Sequence, residues 1–315
     1  MSTTAIGNTT ALNNGFSNIV QFQRFSTNPM ITTASSTTLG KNINGPSLIR
    51  VPDWVSTPLG RYYMYFAHHT GTYIRLAYAD DLQGPWKIYN PGTLHLTSAE
   101  TFYGHIGSPD VHIDDKAKLI LMYFHGPART KQGQWTGVAS SKDGINFNAH
   151  NDLLGKFYFR VWKFHDFWYS IAKNNNEGWG ELYRASSPFG PFKLRGNFLQ
   201  GMRHAAVLVV KHTLLIFYSR VGDAPERILL SKIDMSSDWM TWSPTAPTDV
   251  LRPEYSYEGI QHPVKASIHG TAMDVQELRD PYVLIENDRL VIFYTGAGEK
   301  CICAAWQQYI RANHK

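Results

Sequence analysis

Cysteine is almost absent. Cys301 and Cys303 are the only two in 315 residues, which excludes a disulfide-stapled fold. Two positions apart on an apolar strand, they share one face. That is poor geometry for a mutual bond, and they read as buried thiols. With no second Cys or Cys/His pair nearby, they are also a weak signal for a structural metal site. Charge is sparse: 17% of residues are Asp, Glu, Lys or Arg, too few for a disordered or solvated chain. The formal net charge of +5 arises without a dense Lys/Arg run, so no nucleic-acid partner is indicated. An ordinary soluble protein, or one with an anionic ligand, remains. No stretch could span a membrane. Met1 to Asn18 is rich in Thr and Asn and lacks a signal-peptide core, so the default expectation is a cytoplasmic location. Helical periodicity is nearly absent as well, and only Trp306 to Asn313 could form a short helix, or else a tail.

What is present is repetition. Five apolar runs recur: Tyr62 to Phe66, Leu119 to Phe124, Phe167 to Ile171, Leu214 to Tyr218 and Leu290 to Tyr294. Each is followed by a polar turn and then a second strand of alternating character: Ile74 to Ala79, Thr136 to Ser140, Glu181 to Ser186, Arg227 to Ser231 and Cys301 to Ala305. In the first four copies a turn and an aromatic close the unit, as in Gly84-Pro85-Trp86 and Gly190-Pro191-Phe192. A strand-built repeat of roughly 63 residues is the size of a four-stranded propeller blade. The expected fold is all-β, a single five-bladed β-propeller over residues 41–315. Residues 1–40 would form an N-terminal arm, mobile over 1–18, with a strand that could close the ring. Residues 243–278, the longest gap between repeats, carry Pro244, Pro247, Pro253 and Pro263 and should cover a site.

An innermost strand precedes each strong run, and in a propeller these strands line the central channel. Their starts gather around one mouth: Asn44, Gly45, Ser47, Ser108, Asp110, Arg160, Arg203, His204, Arg279 and Asp280. The ends of the next strands form the rim, with His68, His69, His125, Arg129, Lys173 and Arg220. Alternation allows at most one of His68 and His69 to face the site. An Asp beside Pro at the head of a channel strand, as in Pro109 with Asp110 and Asp280 with Pro281, aims a carboxylate into a confined space. Such a setting suits acid/base work, but it equally suits an Asp that bonds channel amides and holds blades together. Counting back from Phe217 and Phe293 places His204 in register with Asp280. Tyr103 and Trp179, in loops, are candidates for stacking on a sugar.

These residues carry a resemblance. Pro109-Asp110-Val111-His112 resembles the Ala-Pro-Asp motif of arabinanases and β-xylosidases. Arg279-Asp280-Pro281 resembles the Arg-Asp-Pro motif of invertases and levansucrases, although there it sits in a middle blade. With the Gly-Pro-aromatic turns, the chain resembles the five-bladed propeller glycosidases, neoagarobiose hydrolases included, over about residues 40–306. The first blade departs from the family pattern, reading Asn44-Gly45-Pro46-Ser47 where an Asp-Pro is usual. The third blade offers Tyr158, Phe159 and Arg160, and the fourth Arg203 and His204, where an Asp and a Glu are usual.

The resemblance implies a glycoside hydrolase acting on an oligo- or polysaccharide. Glycoside hydrolysis needs one acid and one base. Asp280 is the expected base, with Asp110 or His204 as acid or modulator. The resemblance to neoagarobiose hydrolases, in which a His is the acid, supports His204. Arg203 and Arg279 would grip the substrate, and with the net charge they hint at an acidic sugar. Asn44, Ser47, His125 and Arg160 would complete the binding site, and Glu277 and Glu258 are reserve carboxylates. No cofactor is required, and no metal ligand set is assigned. A channel-bound calcium or other divalent ion is allowed by the resemblance, and His68, His105, His125 or His204 could hold a metal. Two alternatives stand beside this reading: a non-catalytic carbohydrate-binding propeller, and a polysaccharide lyase.

Overall fold

In the computed structural model, residues 21–174, 178–268 and 274–308 are described; the expected arm over 1–18 lies outside them. Five antiparallel sheets form the blades of a five-bladed propeller. Blade 1 contains Asn44–Arg50, Tyr62–Ala67, Arg75–Ala79 and Lys87–Tyr89, in that order from the channel outward. Blade 2 begins with Gly107–Asp114 and Leu119–Pro127, blade 3 with Arg160–Phe164 and Phe167–Lys173, blade 4 with Met202–Val210 and Thr213–Arg220. Blade 5 is Leu278–Glu286, Arg289–Gly296 and Cys301–Gln308, and its outer edge is supplied by the start of the chain. There, Gln23–Arg24 and Ile31–Thr32 pair with Cys301–Gln308. Trp306 to Gln308 are therefore strand, which corrects the expected short helix; its remaining residues lie outside those described.

The second strands read as unbroken apolar runs because both blade faces pack on neighbouring blades. Tyr62–Ala67 is buried at every position. The closing aromatics fill the wedges between blades: Phe192 packs on Phe159 with ring centroids 5.2 Å apart, and Phe147 on Tyr65 at 5.9 Å. Cys301 and Cys303 are buried free thiols with their sulfurs 3.5 Å apart.

The innermost strands begin with a shared irregularity. In blades 1, 2 and 5 the ladder skips two residues against one: Gly45-Pro46, Ser108-Pro109 and Asp280-Pro281. Phe157 and Lys173 frame the same place in blade 3, around Tyr158-Phe159. The first residue of each bulge is left-handed, with φ of 59° at Gly45, 45° at Ser108, 63° at Tyr158 and 49° at Asp280. A bulge of this kind bends the strand and re-aims a side chain. Proline fits the second position, where no ladder N–H is required. Three of the four left-handed residues are not glycine, a strained choice of the kind found at functional sites. Ala206 pairs with Phe217 as Tyr282 pairs with Phe293, so equal counting does bring His204 level with Asp280, but blade 4 carries its bulge one step nearer the mouth, at Arg203-His204, and His204 is its second residue rather than its first.

Just below the bulges, side chains tie four of the five inner strands to the next. Ser47 Oγ accepts the Val111 N–H at 2.9 Å, and Asp110 Oδ2 accepts the Val161 N–H at 2.7 Å. Arg160 Nε donates to the Ala205 carbonyl at 2.8 Å, and the Tyr282 hydroxyl donates to that of Leu48. Ser47, Asp110, Arg160 and Tyr282 each directly follow a bulge, so one register position serves four of the five blade junctions. Asp110→Ala should thus act on stability, leaving the Val161 amide and His112 without their acceptor. About 1–3 kcal/mol should be lost from urea unfolding, while the folded fraction retains its turnover. An unchanged unfolding midpoint with turnover abolished would instead move Asp110 into the chemistry.

Candidate active site at the channel mouth

Asp280 occupies the left-handed head of blade 5 and is fully buried. Its Oδ1 contacts His204 Nδ1, and its Oδ2 accepts from Thr295 Oγ1 at 3.2 Å. Burial alone would raise its pKa. The His204 charge and bond, Arg279 and the Gly45 N–H outweigh burial and hold the carboxyl well below the usual range. His204 moves the other way. Burial lowers it, Asp280 restores part of the loss, and the imidazole ends at about 4. At neutral pH the pair is thus a carboxylate and a neutral imidazole with its Nδ1 proton toward Asp280. Tyr158 stands edge-on to His204, with centroids 4.3 Å apart, and to His125 at 4.4 Å. His125 is buried among aromatic rings and other histidines, and its pKa falls well below the ordinary value.

Beside this pair lies an ionic hub around Arg279, one of the largest fully buried side chains. Its guanidinium reaches Glu277 at 2.7 Å, Glu299 at 3.3 Å and Glu226 at 3.4 Å. Arg203 bonds Glu226 at 2.8 Å and also donates to the Ser267 carbonyl, so the long segment after blade 4 does cover the mouth. Glu299 further accepts from His69 at 2.7 Å and from Asn44 at 3.0 Å. The two guanidiniums expected to grip an acidic substrate are therefore occupied by carboxylates of the chain itself.

Three acids on one arginine cannot all ionise at ordinary pKa values. Glu277 carries the largest shift: burial, with Glu226 and Glu299 nearby, outweighs Arg279 and pushes it up to about 8. Glu226 is raised by burial despite its two arginines. Burial would also raise Glu299, but the bond and charge of His69 hold it below its ordinary value. Lys173, at the end of the second strand of blade 3, is lowered to about 8 by burial and by Arg203.

Of the expected site residues, Arg203, Arg279, Glu277 and Asn44 are joined through Glu226 and Glu299 in one bonded hub, Asp280 and His204 form a pair beside it that feels the charge of Arg279, and His125 meets that pair through Tyr158. Asp110 does not: its partners are His112, at 2.8 Å, and the Val161 N–H, and none of them contacts Asp280. Its carboxyl lies below the usual range because His112, Arg160 and that amide outweigh burial. Ser47 and Arg160 are likewise engaged in blade ties. Glu258 is not bonded to the hub: its carboxylate is buried between Arg24 and Tyr294. His69 turns inward to Glu299, while His68 accepts from Thr70 N–H at 3.1 Å, as strand alternation requires. Tyr103 is exposed at the rim beneath Arg129. Among the described residues, no group of three or more His, Cys, Asp or Glu side chains is arranged to hold a metal ion.

Glu226 and Glu299 were not anticipated. Both lie in the hairpins that join second to third strands, in Ala224-Pro225-Glu226 and Gly298-Glu299-Lys300. Those hairpins rise at the same mouth as His69 and Lys173, so extending the rim through them would have found both.

No family model matches the sequence. Solved structures share the fold at low identity. A glycosyl hydrolase from Bacteroides ovatus superposes with a TM-score of 0.65 at 11% identity, over 93% of this chain and 94% of the other. A structure from the GH130 family of mannoside phosphorylases, with glycoside hydrolases that target β-1,2 mannosidic linkages in Candida mannan, gives 0.63 at 11%, over 92% and 94%. A β-xylosidase/α-arabinofuranosidase from a compost metagenome gives 0.59 at 13%, over 91% and 95%. The chain thus has the fold of the five-bladed propeller glycosidases. In sequence, an uncharacterized protein of Acanthamoeba polyphaga mimivirus is 33% identical over 318 residues, spanning 90% of this chain and 89% of that one. The chain belongs to the same family as this viral protein.

The Asp280–His204 pair makes a spectroscopic prediction. The His204 ring C–H resonance should stay in its neutral position down to pH about 4. In Asp280→Asn the midpoint should fall further, because the carboxylate is what raises it. A midpoint that rises in the variant would refute the assigned pairing.

Proposed function

We propose that the chain is a glycoside hydrolase working at the mouth of its central channel. The observation that carries the reading is a set of buried acids and an imidazole with pKa values driven apart: Asp280 far down, His204 about 4, Glu277 about 8. Such divergence among groups at one channel mouth is how acid and base roles are separated at a single pH. The solved structures that share the fold act on glycosides, which agrees with this reading.

In the proposed mechanism Asp280 holds the Nδ1 proton of His204 and fixes the ring, leaving Nε2 as the acceptor. An imidazole with a pKa of about 4 has the basicity of an ordinary carboxylate, so it can take a proton from the attacking water. Asp280 then stabilises the imidazolium. Glu277, protonated up to pH about 8, gives its proton to the departing glycosidic oxygen. These roles depart from the expectation of Asp280 as base and Asp110 or His204 as acid. Asp110 is engaged elsewhere, and a neutral His204 whose one proton is held by Asp280 is a poor donor. The substrate this arrangement favours is a neutral sugar, since Arg203 and Arg279 are already balanced by Glu226, Glu277 and Glu299.

A panel of aryl glycosides and oligosaccharides tests the reading. Turnover of at least one member should vanish in Asp280→Asn and drop by about 100-fold or more in Glu277→Gln. kcat/KM should rise with pH through about 4 as His204 loses its proton, and fall through about 8 as Glu277 loses its own. An alkaline limb that survives in Glu277→Gln but disappears in Lys173→Met would transfer that limb to the ammonium. Sugar binding with no turnover would favour a binding module, and unsaturated uronate products a lyase.

A further inference from the structure

The opposite face of the propeller carries a second concavity. It lies between blades 3 and 4, where the hairpins Phe164 to Phe167 and Val210 to Thr213 turn from first to second strand. These turns are at the far end of the channel strands from Asp280 and His204. The cavity measures about 310 Å³, within the range of small-ligand sites. Its base is aromatic: Tyr169, Trp239 and Trp242 are buried there, with Tyr169 and Trp242 4.8 Å apart. Its walls are Phe164 and the exposed Phe167, His165 and His212. Arg184 is clamped between Phe167 at 4.5 Å and Trp239 at 4.4 Å. Asp238 stands at the rim and caps the Met240 N–H at 2.7 Å.

We propose that this cavity is a carbohydrate-binding subsite, separate from the mouth, that holds a neutral saccharide. A pyranose ring has an apolar C–H face and a polar edge of hydroxyls. The cavity presents the complement: the exposed Phe167 ring over a floor of Tyr169, Trp239 and Trp242, with a guanidinium, two imidazoles and a carboxylate around it. Other ligands fit less well. A nucleobase needs a free slot between ring planes, and Arg184 already fills the one between Phe167 and Trp239. An anion would meet Asp238 at the rim. A metal would have only His165 and His212, and no third ligand stands with them among the described residues. The choice of a saccharide rests on the reading of the mouth as a glycoside-processing site. For a polymeric substrate, a second holding point raises the effective concentration of chain at the first.

The experiment follows the ring resonances of His165 and His212 during titration with xylohexaose, arabinohexaose and mannohexaose. One of the three should shift both. Phe167→Ala, a change at an exposed side chain, should weaken that response by about 10-fold or more, and His212→Ala should remove its own signal and weaken the shift of His165. Asp280→Asn should leave the response intact, so the subsite is judged even if the mouth proves inactive. Turnover of short aryl glycosides should be unchanged in Phe167→Ala, while turnover of the matching polysaccharide falls several-fold. No shift with any of the three hexasaccharides, a shift that survives Phe167→Ala, or a response to a nucleoside monophosphate in their place would overturn the assignment.

Discussion

An innermost propeller strand has no ladder partner on its channel side, and that free edge governs this molecule. Its amides and carbonyls face a space too narrow for another strand, and buried backbone groups left unpaired are costly. The chain meets the requirement with side chains. Ser47, Asp110, Arg160 and Tyr282 each reach the backbone of the following inner strand from one register position. Their chemistry differs completely: a hydroxyl and a carboxylate accept, a guanidinium and a phenol donate. What is repeated is the geometry, because the bulge above each position turns the next side chain toward the neighbouring blade.

The same bulges shape the mouth. A left-handed residue at the head of the strand directs its side chain into the funnel, and in blade 5 that residue is Asp280. Blade 1 uses Gly45 at this place, where an added Cβ would come within 3.1 Å of Ser108 Cα. The Gly45 N–H is one of the groups that keep Asp280 ionised. Blade 4 sends Arg203 and His204 instead, so the five heads are not equivalent and a single carboxylate stands among them.

Most of the architecture is written locally. The five apolar runs, their hairpin turns and the closing aromatics mark the blades because each blade is one short antiparallel unit with its own pattern. Asp280, Arg279, His204 and Arg203 are legible too, since they open channel strands. The division of labour between Asp110 and Asp280 is not. Both stand beside a proline, but Asp110 follows the bulge proline and Asp280 precedes it. That two-step difference sends one carboxylate to a neighbouring backbone and the other to the funnel. The end of the repeat misled for a different reason: Trp306 to Gln308 has no strand pattern of its own, and it is held as strand by pairing with Val291, Leu290 and Arg289, with Gln23 on the outer side of Trp306.

The state of the hub follows from charge balance. Two buried guanidiniums, Arg203 and Arg279, face three buried carboxyl groups, Glu226, Glu277 and Glu299. His69 compensates Glu299 from the rim, where its raised pKa keeps it able to carry charge. Glu226 sits between both arginines. Among the described residues Glu277 shares only Arg279, and that arginine is already divided among three acids. The proton therefore settles on Glu277, the acid with the weakest claim on a cation. A donor made this way needs no special partner of its own. It exists because its neighbours have taken the compensating charge, and it would cease to exist if either Glu226 or Glu299 were made neutral.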